Sequence, residues 1–188
     1  MKARSRFAII TTAIAALSLS ALASAEMKSA GGGGLEFKLP GGTAGLTIEG
    51  KSEQLTASES GGKIVVVAKF DCGETSCLKT GIDKRDEHLW KHMESGKYKT
   101  ATLTVDKSSL KLPADNDKSE GDASGELDFH GVKKTVKFHY EAKRTGSDYH
   151  IHGSTSINLG DFKIEQPSFA GVHTGMTAEV KVKFKLRE

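Results

Sequence analysis

Alternation of apolar and polar positions dominates this chain. In the last segment Ala178, Val180, Val182, Phe184 and Leu186 fall on one face, and Glu179, Lys181, Lys183, Lys185 and Arg187 on the other. A period of two with one apolar and one charged face predicts a strand in a sheet with one dry side and one wet side. The same pattern recurs upstream. Leu35, Phe37 and Leu39 alternate with Glu36 and Lys38, and Leu46 and Ile48 with Thr47 and Glu49. Ala123, Gly125, Leu127 and Phe129 share a face, followed by a turn at Phe129-His130-Gly131. Val136, Phe138, Tyr140 and Ala142 form the next face, and Tyr149, Ile151, Gly153, Thr155 and Ile157 the one after. Ile64 to Phe70 is more continuously apolar, as in a strand covered on both sides. Roughly eight strands at this turn spacing predict an all-β barrel or sandwich. Most connections are too short for crossovers, so the order is expected to be antiparallel.

One segment breaks the strand pattern. Thr80-Gly81-Ile82-Asp83-Lys84-Arg85-Asp86-Glu87-His88-Leu89 reads as a short amphipathic helix. Asp83 is placed to cap it, with Asp86 and Glu87 in the first turn, where the helix dipole favours acids. Leu89 and Met93 share a face by their spacing, and Gly96 marks an end. A single charged helix in such a chain is expected to cover the opening of a sheet.

The first 25 residues change the charge picture. Lys2, Arg4 and Arg6 precede the uncharged run Phe7–Leu22, and Ala23-Ser24-Ala25 offers a small-x-small cleavage site, the three parts of a secretory signal. That run is short for a spanning helix. No cysteine lies near the cleavage point to carry a lipid anchor. Residues 1–25 hold three basic and no acidic residues, so the formal charge of +3 leaves with them and 24 basic balance 24 acidic residues. Nucleic acid is therefore not an expected partner. Residues 26–34 read as a Gly-rich flexible leader, and 35–188 as one domain. Cys72 and Cys77 in an exported chain favour a local disulfide, with a free or metal-bound pair as the rival.

Catalytic chemistry finds little support. His88 and His92 stand at i, i+4, the spacing of two imidazoles sharing a metal, but His-Leu-Trp-Lys-His lacks the glutamate of a zinc hydrolase helix. Solvent-facing or locally bonded histidines are the plainer reading. An opportunistic copper or zinc site helped by His150 and His152 is the alternative. No nucleophile elbow is present, and Gly31–Gly34 precedes no helix and lacks the P-loop lysine. The inward face itself is the remaining candidate. A closed sheet of about eight strands is just wide enough for packed side chains or one slender ligand. Small inward residues (Ala123, Gly125, Ala142, Gly153, Thr155, Ala178) leave volume, which Phe37, Phe70, Phe129, Phe138 and Phe184 or a guest must fill.

Four stretches together carry a family resemblance. They are Lys79 through Leu89; Gly96-Lys-Tyr-Lys-Thr-Ala101; Gly125-Glu-Leu-Asp-Phe-His-Gly-Val-Lys-Lys-Thr-Val136; and Asp161-Phe-Lys-Ile164 followed by Val180-Lys-Val182. In their order and spacing the chain resembles the YceI-like family of exported bacterial lipid-binding barrels, from about Leu35 to the C-terminus. The resemblance implies an extended lipocalin-like barrel with the helix near its opening. Its core would hold a polyisoprenoid or isoprenoid quinone as ligand, without a cofactor. Phe37, Phe70, Leu127, Phe129, Phe138, Tyr140, Ile151, Val180, Val182 and Phe184 are the expected lipid contacts, and Arg85, His88 and Trp90 the expected head-group contacts at the mouth. The chain departs from many family members in its short first strand.

The favoured reading is a periplasmic carrier of an isoprenoid lipid or quinone, not an enzyme. The alternatives are an envelope stress or structural barrel filled by its own side chains, and a metal-dependent enzyme using His88 and His92. Exposed strand edges and near-zero charge would also allow a homodimer.

Overall fold

The computed structural model describes residues 26–42, 45, 47–73, 76–169 and 171–188; residues 1–25, where the secretory signal is expected, and Leu46 lie outside the described residues. The strands are β1 (Lys28–Ser29), β2 (Gly33–Leu39), β3 (Ile48–Ser60), β4 (Lys63–Lys69), β5 (Thr100–Asp106), β6 (Lys118–Phe129), β7 (Val132–Thr145), β8 (Asp148–Asn158), β9 (Ser168–Phe169), β10 (Val172–His173) and β11 (Thr177–Arg187), and one helix, α1 (Asp83–His92), lies between β4 and β5. Eight of the strands close an antiparallel ring in the order β11-β2-β3-β4-β5-β6-β7-β8, and β8 returns to β11 along its full length, from Thr177↔Asn158 to Arg187↔Asp148. The all-β barrel with one helix is therefore the fold. Closure also removes most of the free strand edges on which the homodimer expectation rested.

Residues 26–34 are not a flexible leader. Lys28 and Ser29 pair with Arg187 and Leu186, and Met27 has no exposed surface. Gly31 and Gly32, with φ of +81° and +67°, make the kink between β1 and β2, a conformation that L side chains resist. Composition suggests disorder here, but tertiary packing overrides it.

The barrel has two unlike ends. At the base, the Gly61–Gly62 turn, the β7–β8 turn and the segment 107–117 close the floor. Glu59 points inward there, where Lys107 Nζ donates to Oε1 at 3.0 Å and Oε2 at 2.8 Å, and the Met27 N–H donates to Oε2 at 3.1 Å. Burial pushes the Glu59 carboxyl up, but the Lys107 ammonium and the Met27 N–H outweigh it and hold the carboxyl below the ordinary glutamate range. The Lys111 N–H donates to the Tyr140 hydroxyl at 2.7 Å, which pins the floor segment to β7.

At the opposite end stand α1, the β6–β7 turn and residues 159–176. The helix begins at Asp83 with Ile82 as its N-cap and no side-chain cap bond, so Asp83 does not cap it. Asp86 instead anchors the chain that enters the helix. It is 5% exposed, and Thr80 donates both its N–H and its hydroxyl to Asp86 Oδ1, at 2.7 and 2.6 Å. A carboxylate reaching back over the first turn thus fixes the segment before α1 and satisfies its own buried oxygen.

The ladders are uneven: β5 and β6 pair only from Thr102↔Asp128 to Thr104↔Glu126, which leaves the base half of β6 without a β5 partner. β7 and β8 pair only from His139↔Ser154 to Thr145↔Asp148. Above that point β7 stays paired to β6 as far as Val132, and β8 stays paired to β11 as far as Asn158. The two strands fork toward the helix end.

Candidate functional site

Inward side chains from all eight barrel strands enclose a cavity of about 200 Å³, whose wall is almost wholly apolar. The ten sequence-predicted interior residues all face it. Phe37 comes from β2, Phe70 follows β4, Leu127 and Phe129 come from β6, and Phe138 and Tyr140 from β7. Ile151 of β8 and Val180, Val182 and Phe184 of β11 complete the set. Phe70, Phe129 and Phe162 form a chain of rings below the helix, with centroids 5.7 and 5.3 Å apart. Edge-to-face and tilted contacts at such distances are favourable beyond the area they bury.

Not every small inward residue leaves room. A Cβ on Gly125 would lie 2.7 Å from Thr104 O and 2.9 Å from Val105 Cγ2, so this glycine serves the close approach of β5 to β6. At Gly153 a Cβ would meet Val182 Cγ2 at 3.1 Å, so its absence seats a neighbouring wall residue.

The mouth is built differently from the expectation. Arg85, His88 and Trp90 do not line the cavity; Leu89, His92 and Met93 of the same helix do. His88 is exposed, and the Trp90 Nε1 is buried without a hydrogen bond. The His92 ring bonds the Glu165 carbonyl at 2.9 Å, and since a carbonyl only accepts, Nε2 is the donor. That bond ties α1 to the segment that follows β8. Two further ties hold the cap: His130 Nδ1 donates to Phe162 O at 3.0 Å, and Lys134 Nζ to Asp161 Oδ1 at 2.7 Å. His130 Nε2 lies 3.2 Å from Glu94 Oε2 without the alignment of a hydrogen bond. Among the described residues no group of three or more His, Cys, Asp or Glu side chains converges as a metal site.

Sequence reasoning missed several lining residues, among them Leu55 of β3 and Ala101, Leu103 and Val105 of β5. Leu110 and Leu112, in the floor segment, sit beside no periodic pattern. Leu78 reaches the lumen through the Cys72–Cys77 disulfide turn. After that turn Lys79 pairs with Lys51 through two backbone bonds, of 2.9 and 2.8 Å, so residues 76–80 fill the wall where β3 has diverged from β4. The disulfide thus shapes a piece of the wall.

Comparison with known proteins agrees with this geometry. The family model of the YceI-like domain matches residues 38–187. No curated protein matches the chain. Among solved structures, a polyisoprenoid binding domain from Saccharophagus degradans is similar at 19% identity and a TM-score of 0.69, covering 86% of this chain and 97% of that one. BcnA from Burkholderia cenocepacia is similar at 14% identity and a TM-score of 0.59, over 81% of this chain and 95% of that one. A mutant CJ YCEI protein is similar at 18% identity and a TM-score of 0.54, over 75% and 85%. At these identities the likeness to solved structures is one of fold.

Proposed function

The chain belongs to the YceI-like family, and from that membership we propose that it is an exported, periplasmic lipid-binding protein that holds one long isoprenoid chain, as a polyisoprenoid or an isoprenoid quinone, in its barrel. The observation that carries this reading is the wall of the cavity, which offers an apolar surface over its whole height. Its polar side-chain groups are occupied: His92 by Glu165 O at the helix end, the Tyr140 hydroxyl by the Lys111 N–H at the floor, and the Thr155 hydroxyl by Lys137 O between them. A site so lined favours burial of hydrocarbon over bond making.

Size narrows the guest. A cavity of about 200 Å³ falls below the roughly 300–1,000 Å³ of sites that enclose drug-sized molecules. Only part of a long chain in extended form fits that volume, so the rest of the chain and any quinone ring would lie outside the lumen or require its walls to move apart. Each buried CH₂ contributes roughly 0.8 kcal/mol before association costs, so a chain can be held without any charge pair. The similar fold of a polyisoprenoid binding domain supports the same ligand class.

Mass spectrometry of organic-solvent extracts tests this, on protein purified from the periplasm without detergent. The expected result is one isoprenoid species in near-stoichiometric amount. An empty extract, together with no uptake of added quinone, would leave a barrel filled by its own side chains.

A further inference from the structure

On the reading that the barrel holds an apolar chain, we propose that this chain enters and leaves sideways, through the fork between β7 and β8, and not along the barrel axis past α1. Two observations converge on the fork. The β7–β8 ladder stops at His139↔Ser154, although both strands run on and stay paired on their other sides. Widening the fork therefore breaks no ladder hydrogen bond. Second, Ser154, whose side chain by the alternation of β8 points outward, adjoins the cavity where the strands part.

The axial route is closed by comparison. Met93, Phe162 and Ile164 are buried beneath the cap, and His92 and His130 each hold a backbone carbonyl of residues 159–176. Passage there requires breaking these bonds and unpacking an apolar cluster. At the apex of the fork, the Thr155 hydroxyl donates to the Lys137 carbonyl at 2.7 Å. We assign that bond the role of a latch. Its loss lets the tips of β7 and β8 part, and the strand faces so parted present Val136, Phe138 and Ile157 to an incoming hydrocarbon. Upper-edge backbone groups of these strands that have no ladder partner must bond water or side chains, a state that tolerates transient opening better than a complete ladder does.

The test uses a dansyl-tagged farnesyl chain as probe and stopped-flow fluorescence as readout. Lys137→Cys with Ser156→Cys, both exposed on the outer wall beside the fork, are bridged by a short thiol-reactive crosslinker in protein whose native disulfide is intact. Loading is expected to slow at least tenfold, while protein loaded before bridging keeps its probe. Bridging Lys91→Cys to Gln166→Cys, which flank the His92–Glu165 contact, clamps the cap and is expected to leave loading within twofold. Thr155→Val, independent of any crosslink, should speed probe release several-fold. A fork bridge without effect, or a cap bridge that blocks loading, overturns the lateral route. If the unbridged protein takes up no probe at all, the lipid-binding reading itself falls, which separates its failure from that of the portal.

Discussion

The base of the barrel and its helix end use the same kind of strand for opposite purposes. At the base Met27 and Leu186 have no exposed surface, and the inward carboxylate Glu59 has a cation and an N–H on its oxygens. At the helix end Trp90 Nε1, Ser95 Oγ and His130 Nε2 are buried without hydrogen bonds, and the β7–β8 ladder is open. Buried polar groups without partners cost free energy, and a sheet with a missing ladder rung opens at low cost. The contrast teaches that inward polar groups are better satisfied at the floor than at the helix end, even though the β5–β6 ladder is short toward the floor as well.

The largest expected effect follows from striking the floor. Leu186 is fully buried between β8 and the paired β1. Leu186→Ala should cost about 3 kcal/mol, the middle of the range for buried Leu→Ala substitutions. Urea unfolding followed by circular dichroism would measure it as a lower midpoint with an unchanged slope. The rate of lipid loading, read well below the midpoint, should stay as in the parent. A change in loading as large as the change in stability would show that the two ends are coupled and would break the comparison.

Glu59 sharpens it with a sign. Its carboxyl is held below the ordinary glutamate range in the folded state. Its stabilisation is therefore present above the unfolded-state pKa and is lost as pH falls through the lower folded value. Glu59→Gln should cost about 2 kcal/mol at pH 7, as expected for losing hydrogen bonds to a charged group. The difference between parent and variant should shrink as unfolding is measured at progressively more acidic pH, below the ordinary glutamate range. A gap of constant size from neutral to acidic pH would mean that the Lys107 pairing contributes nothing specific to the floor.

How much of this could be read in the sequence depends on where alternation survives. β6, β7, β8 and β11 keep one parity from end to end, and with them came most of the interior residues. β3 does not. A bulge between Ser52 and Leu55 shifts the inward set from Ile48, Gly50 and Ser52 to Leu55, Ala57 and Glu59. An inward charge in that second set argues for the wrong face until Lys107 is seen beside it. In β5 the run Thr-Ala-Thr-Leu-Thr-Val alternates cleanly, but its polar half is threonine, which marks a wet face weakly. The helix misled in detail because an acid in the first turn suggests a side-chain cap, whereas Ile82 caps it without one and the buried acid, Asp86, is bonded to Thr80 before the helix. The mouth residues were misjudged for a similar reason: the face that α1 turns inward carries Leu89, His92 and Met93, while Arg85, His88 and Trp90 lie off it. The fork leaves no trace in the sequence at all. Val136 and Phe138 alternate as faithfully as Tyr140 and Ala142, since side-chain period records which way a residue faces and not whether its backbone has a partner.

Phe138→Ala is the smallest expected change in stability and the one that bears most directly on the contrast. The ring lines the lumen beside Tyr140, with centroids 6.4 Å apart, and is half-exposed at the fork. Fully buried Phe→Ala substitutions cost about 3–5 kcal/mol because lost contacts leave a void. At the fork part of that surface already faces water, and the cost should be about 1 kcal/mol. Removing the ring widens the gap between β7 and β8, so bound dansyl-farnesyl should dissociate faster while its stoichiometry stays at one. Unfolding and probe release measured on the same preparation give both numbers. A stability loss equal to that of Leu186→Ala would mean that the helix end is packed as firmly as the floor. The fork would then be a local irregularity of the sheet and not a place where the barrel yields.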